Sequence, residues 1–438
     1  MRVLLLISAS LLAISGCGGL GDRPGDAPNA LVTMGFGLPD EHATARVEVF
    51  RSTYPDIDLR INEGAFDEQQ FLSAVAAGDP PDLVYAERSK LGSYAARGAV
   101  QPLDDCLARH DVDLGQFREA ALSQVTHESR VYGVPEFSTL RLLIINNPVV
   151  REAGLDPAAL TTTDWSALPA LTDRLARLDG GRPQRIGFDP KVPEFLPLWA
   201  KANGADLAGP GARLDDPRVV EAVRATADLV DRQGGWASFK AFRDTFDQFG
   251  ANNHYVTGQL AAMVMDSWYL NTLATNSPDV DVTVVPFTDR RGNPLTDSYG
   301  SAWAIPKGSR HPGTACDFIA TMTAPDTWVT AAKARRDALA AAGKPYGGTF
   351  TANRVADERI HREVFDPGDN RVLRQGVPTV LALQETAFAV PPSPAASELV
   401  RAWEGAVNRV LNGQQDARES MAQAQREAER ALKRVGGR

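Results

Sequence analysis

Cysteine is scarce in this 438-residue chain, which holds only Cys17, Cys106 and Cys316. No C-x-x-C or H-x-x-x-H spacing occurs, and the six histidines (His42, His110, His127, His254, His311 and His361) are far apart, so the sequence contains no recognisable metal site. The G-x-S-x-G nucleophile turn and the G-x-x-x-x-G-K-[ST] phosphate loop are also missing. With those motifs absent, no cofactor is implied. Cationic charge is short as well: 46 Lys and Arg against 55 Asp and Glu give a net charge of −9, which argues against nucleic acid or an anionic membrane surface as partner of the body. Carboxylates are plentiful, so composition alone leaves a two-carboxylate glycosidase open.

The longest apolar run, Val3–Ile14, is too short to span a bilayer and follows a single basic residue, Arg2. Residues 1–16 therefore read as an export signal. Ile14, Ser15 and Gly16 stand directly before Cys17, a pattern that resembles the bacterial lipobox, in which the cysteine is acylated and becomes the new N-terminus. Residues 17–29, rich in Gly, Pro and Asp, cannot bury enough apolar surface to order themselves and read as a tether. The expected location is the outer face of the cell membrane, held by lipid alone. Cys106 and Cys316 then remain as an even pair, able in an exported protein to form a disulfide or to stay as two buried thiols.

With 43% hydrophobic and 23% charged residues, the rest has ordinary globular composition and length for about two or three domains of ~150 residues. "ALVTMGFG", "IDLRINEG" and "PPDLVYAE" read as strands, and "DEHATARVEVFRSTYPDI", "FDEQQFLSAVAAG" and "SKLGSYAARG" as the helices that follow them. Such alternation predicts an α/β domain with a largely parallel sheet. Ligands bind such sheets at the carboxyl ends of strands, which makes Phe36, Glu63, Tyr85, Glu87 and Arg88 candidates by position.

Further along, "VYGVPEFSTLRLLIINN" reads as one long extended segment able to pass between lobes, "LAAMVMDSW" as a buried strand, and "YGSAWAIPKG" as a second crossing. Leu399, Trp403, Val407 and Leu411 lie four apart on one helical face, and "DARESMAQAQREAERALKRV" forms the last helix.

Several stretches, in order, resemble the carbohydrate branch of the family 1 extracellular solute-binding proteins of ABC importers. They are "VFRSTYPDIDLRI", "FLSAVAAGDPPDLVYA", "LGSYAARGAVQPLDD", "VYGVPEFSTLRLLIINNPVVREAGLDP", "YVTGQLAAMVMDSWYL" and "YGSAWAIPKGSRHPGTACDFIATMTAPDTW". The resemblance implies a type II periplasmic-binding-protein-like α/β fold of two lobes joined by crossing strands, with the ligand cleft between them. On that pattern, 30–140 with 298–345 form the N-terminal lobe and 141–297 with 346–438 the C-terminal lobe. It also implies a monomer without enzymatic activity that captures a mono- or oligosaccharide and hands it to permease subunits. A binder of a peptide or phosphorylated polyol, or an exported carbohydrate-active enzyme, is the alternative.

A sugar presents C–H faces and a rim of hydroxyls, so its site needs aromatic platforms beside carboxylates and amides. Asp266, Trp268 and Tyr269 at a strand end offer that mixture, unless the tryptophan is core. Tyr299, Gly300 and Trp303 stand at one crossing, while Glu136 and Phe137 stand at the other, either facing solute or serving only the hinge. Trp236, after Gly234-Gly235, is a loop platform or a domain-edge cover.

Overall fold

The computed structural model describes residues 29–208 and 211–436. The expected leader, the expected acylation site Cys17 and the expected tether as far as residue 28 lie outside the described residues. Among the described residues, no helix is long and apolar enough to cross a membrane.

Two five-stranded sheets organise the chain. In the first, Asp58–Asn62, Ala30–Met34 and Leu83–Glu87 run parallel. Parallel neighbours need a crossover, supplied here by the helices Glu41–Thr53 and Glu68–Ala76. Each helix starts where an aspartate caps it: Asp40 accepts from Ala43 N–H at 3.1 Å and Asp67 from Gln70 N–H at 2.9 Å. Ser301–Ala304 then adds antiparallel to Leu83–Glu87, and Val134–Pro135 antiparallel to it in turn. The second sheet runs Val282–Pro286, Arg141–Asn146, Leu260–Asp266, Arg182–Asp189, Arg177–Asp179. Arg141–Asn146 is antiparallel to both neighbours, whereas Leu260–Asp266 is parallel to Arg182–Asp189. Both sheets are thus mixed, because strands arriving from the other half enter against the local direction.

Arg141–Asn146 is buried throughout, and Leu260–Asp266 is buried up to Met265, as expected of central strands covered on both faces. The long apolar segment after Val131 is not one strand. Val134–Pro135 serves the first sheet and Arg141–Asn146 the second, since a strand that changes sheets must turn its hydrogen-bonding edges to new partners. Between them, Phe137 pairs with Thr351 and Thr139 with Tyr299, while Asp297 pairs with Phe388. These bridges make a narrow ribbon of crossing segments, tied by Thr139 N–H to Tyr299 O at 2.9 Å and Ser298 N–H to Phe388 O at 2.8 Å.

Each sheet carries its own core. Val47, Phe50, Phe71, Tyr94, Trp303 and Phe318 fill the first, and Phe188, Trp199, Phe239, Tyr269 and Phe287 the second. Tyr346, Ala356, Ile360 and Val364 pack with Trp328 and Val329 of the helix Pro325–Ala341, which lies on the helix Glu41–Thr53 beside the first sheet. The helix Ala396–Leu411 buries Leu399, Trp403, Val407 and Leu411 on its inward face.

Cys106 and Cys316 are bonded, with Cα atoms 5.7 Å apart, linking the helices Asp104–Arg109 and Pro312–Thr323 across a sequence separation of 210. So long a closed loop restricts the unfolded chain strongly. Replacing both cysteines by alanine is expected to lower unfolding free energy by roughly 2–5 kcal/mol in urea titrations. An unchanged midpoint would show that the bond contributes nothing to stability.

Candidate functional site

The register of the second sheet sets Arg141, at the start of its strand, directly opposite Asp266, at the end of its own. Their side chains pair through Arg141 Nη1 and Asp266 Oδ1. Arg141 Nε also faces Asp297 Oδ1 at 3.7 Å. The guanidinium lies over the rings of Tyr299 at 4.0 Å and Phe195 at 4.1 Å, a doubled cation–π arrangement. The other oxygen of Asp266 accepts from Trp268 Nε1 at 3.0 Å and from the Tyr299 hydroxyl at 3.2 Å. One carboxylate thereby orients two half-buried aromatic rings. Burial pushes the Asp266 carboxyl upward, against the pull of Arg141.

Two cavities adjoin this cluster, and Tyr299 lines both. The larger, about 420 Å³, is walled by Tyr85, Phe137, Trp268, Tyr299 and Phe350, with Asp40, His42, Asn271 and Arg335 as its polar groups. Every one of those five aromatic rings is half-buried, so each leaves part of its surface free. Asn271 Oδ1 is buried without a hydrogen-bond donor. Asp40 is held down to about 2: burial raises it, but His42, the Ala43 N–H and Arg335 outweigh that. The smaller cavity, about 200 Å³, is bounded by Glu87, Gln124, Glu194, Trp403 and Glu404, with Arg141 between it and the Asp266 cluster. Among the described residues, no group of three His, Cys, Asp or Glu is arranged to hold a metal ion.

Of the residues singled out by sequence, Tyr85, Phe137, Trp268, Tyr299 and Gly300 come together in the larger cavity. Gly300 is required there, because an added Cβ would collide with the Phe137 carbonyl oxygen. Asp266 sits behind them as their anchor. Glu87 lines the smaller cavity and pairs with Lys90 at 3.2 Å.

The remaining candidates are placed elsewhere. Arg88 is fully buried: it donates to Gln124 Oε1 at 3.1 Å, to the Phe137 carbonyl, and to Ser298 Oγ at 3.1 Å, so it clamps the crossings. Burial lowers its guanidinium to about 10. Glu136 is equally buried and paired with Arg46, whose guanidinium lies 4.0 Å over the Trp328 ring. Trp303 and Phe36 are core, packed on each other at 4.8 Å and on Tyr85. Glu63 is exposed beside Gly37 and lines neither cavity. Trp236 belongs to the helix Gly235–Arg243, where it stacks on Phe239 rather than standing on a loop. Tyr269 turns inward and stacks on His254 at 5.7 Å.

Missing from those candidates were His42, Asn271, Arg335, Phe350, Glu194, Trp403 and Glu404. Trp403 had shown itself only as one member of an apolar helical stripe, and the others carry no local signal.

Two α/β halves joined by a ribbon of crossings, with aromatic-walled cavities on the ribbon, define a two-lobed ligand-binding protein. A model of the bacterial extracellular solute-binding proteins matches residues 39–327, and the chain belongs to that family. It is a solute-binding protein and not an enzyme. The arabinooligosaccharide-binding protein of Bacillus subtilis is 21% identical over 328 residues, spanning 72% of this chain and 74% of that protein. The solved structure of CpMnBP1 with mannotriose bound has a TM-score of 0.73 at 24% identity, covering 91% of this chain and 99% of its own. The substrate-binding protein Lmo0181 of Listeria monocytogenes, in complex with cycloalternan, has a TM-score of 0.72 at 17% identity, covering 93% and 99%.

His254 is fully buried between Phe246 and Tyr269, and neither ring nitrogen has a hydrogen-bond partner. Burial, then the charge of Lys191, lowers its pKa from 6.5 to about 3. Between those values the unfolded chain takes up a proton that the folded chain refuses, so folding stability falls as pH drops through this window. His254→Phe is expected to lose less stability than the parent between neutral and mildly acidic pH, read from urea midpoints. Parallel losses in the two proteins would remove His254 from the acid response.

Proposed function

We propose that this protein captures a carbohydrate outside the cell and delivers it to an ABC importer. The observation that carries this reading is the Asp266 cluster, in which one carboxylate holds the Trp268 indole and the Tyr299 phenol in the wall of a cavity of about 420 Å³. Aromatic faces suit the C–H faces of a sugar ring, and the surrounding Asp40, Asn271 and Arg335 suit its hydroxyls. The named ligands of similar proteins, arabinooligosaccharides, mannotriose and cycloalternan, agree with it.

In this reading the lobes divide as 30–140 with 298–345 and 141–297 with 346–438, except that 346–364 moves with the first lobe, whose Trp328 it packs against. Closure brings the helix Arg88–Ala96 against the helix Ala396–Leu411. Contacts that would latch it are Arg97 Nη2 to Glu398 Oε1 at 3.0 Å and Ser397 Oγ to Glu68 Oε2 at 2.9 Å. Ligand stabilises the closed state only by its affinity difference between the two states, and the permease would read that state. Acylated Cys17 would hold the monomer at the membrane.

Isothermal titration of residues 18–438 against neutral and charged oligosaccharides, peptides and phosphorylated polyols tests the ligand class. A sugar is expected to bind and be recovered unchanged, with Trp268→Ala weakening it roughly ten- to a hundredfold. Binding of a peptide alone would overturn the carbohydrate reading, and a Trp268→Ala variant with full affinity would remove the Asp266 cluster as the sugar's site. For the anchor, intact mass of the membrane-fraction protein is expected to show Cys17 as an acylated N-terminus. A mature N-terminus without acyl chains would rule out the lipid.

A further inference from the structure

Trp268 is held at one edge, where its Nε1 donates to Asp266 Oδ2 at 3.0 Å. A single hydrogen bond fixes that edge and leaves the ring free to tip about it. Two neighbouring rings bear on the rest of the indole. Tyr269 meets it at 87°, with centroids 5.7 Å apart, and Phe249 lies nearly parallel to it, at 14° and 5.9 Å. Tyr269 is core, whereas Phe249 is 63% exposed.

Phe249 belongs to the stretch between the helix Gly235–Arg243 and the strand Leu260–Asp266, and its backbone there is tied down. Gly250 N–H donates to Asp247 Oδ1 at 2.8 Å, Asn276 Nδ2 to the Phe249 carbonyl at 2.7 Å, and Ser277 Oγ to the Ala251 carbonyl at 3.1 Å. Asn276 ends the helix Tyr269–Asn276, and Trp268 stands directly before its first residue. One short helix therefore carries the indole at its start and fastens the loop of the partner ring at its end. Three residues before Phe249, Phe246 is buried and stacks on His254 at 4.6 Å, so it serves the core. Phe249 is too exposed for that role, and it does not border the larger cavity, which Trp268 does. The contact that remains to it is the one with Trp268.

We propose that Phe249 is a positioning residue for sugar binding: standing behind Trp268, away from the cavity, it holds the indole face toward the ligand. The proposal rests on the carbohydrate reading above and adds a residue that this reading does not use. A platform serves a sugar by presenting a flat face at one angle. A ring left free to tip must give up that freedom on binding, and affinity falls accordingly. Offset-parallel contact with a second ring removes the freedom beforehand.

Isothermal titration of mannotriose, arabinotriose and maltotriose into the parent, Phe249→Ala, Trp268→Ala and the double variant tests this. For the sugar that binds, Phe249→Ala is expected to weaken affinity roughly three- to tenfold with little change in melting temperature, and Phe249→Tyr to restore it. In the Trp268→Ala background, Phe249→Ala is expected to change affinity less than about twofold, because a residue that acts only through the indole has no effect once the indole is gone. Full affinity in Phe249→Ala, or an undiminished loss in the Trp268→Ala background, overturns the proposal and leaves the carbohydrate reading standing. A second readout needs no sugar: fluorine NMR of protein labelled with fluorotryptophan, the Trp268 line being the one lost in Trp268→Phe. That line is expected to broaden in Phe249→Ala, as a ring moving between orientations does, and to sharpen again in Phe249→Tyr. A line as narrow as the parent's overturns the proposal whether or not a sugar binds.

Discussion

The pairing of Arg141 with Asp266 is the interaction on which the rest of the site depends. Both residues stand where the second sheet meets the crossing ribbon, placed opposite each other by antiparallel register. A buried ion pair is costly to form in place of apolar packing, and more costly to break on one side. Here its remaining capacity is used: Asp297 lies against Arg141, and Trp268 and Tyr299 donate to Asp266. The platforms that would meet a ligand are consequently fixed by the same charges that hold strand ends together.

Other buried arginines do comparable work along the ribbon. Arg88 reaches from its helix to both the Phe137 carbonyl and Ser298. Arg118 binds the Thr351 carbonyl at 3.1 Å, Asp357 at 2.6 Å and Glu385 at 3.1 Å. The planar guanidinium, with five donors, can tie several backbone segments together where no regular sheet does so. Narrow crossings joined by side chains rather than by a full ladder of backbone bonds are suited to bending, and the two hydrophobic cores on either side are suited to moving as units.

Much of the architecture was legible from local patterning. Alternating strands and helices through residue 98, the buried strand Leu260–Asp266 and the inward stripe of Leu399, Trp403, Val407 and Leu411 all follow from hydrophobic period. The site was only partly legible. Trp268, Tyr299 and Phe137 were recognisable because aromatic residues at strand ends and crossings stand out. Arg88 and Glu136 were misleading for a physical reason: a charged residue at a strand end looks solvated unless its distant partner is known, and those partners are Ser298 and Arg46. Trp303 and Tyr269 misled in the same way, since an aromatic beside a glycine or serine is as fit for core as for cleft.

The sequence by itself determined the acidic balance, the order of strands and helices, and thereby the α/β class, because these depend on composition and on periods of two and 3.6 residues. Tertiary structure alone decided which carboxylates are anchors and which face a cavity. Asp266 and Glu136 are both acidic residues at a strand end or crossing. One is held by Arg141 and the Tyr299 hydroxyl in the wall of a cavity and the other is buried against Arg46, and that difference arises only when distant segments fold against one another.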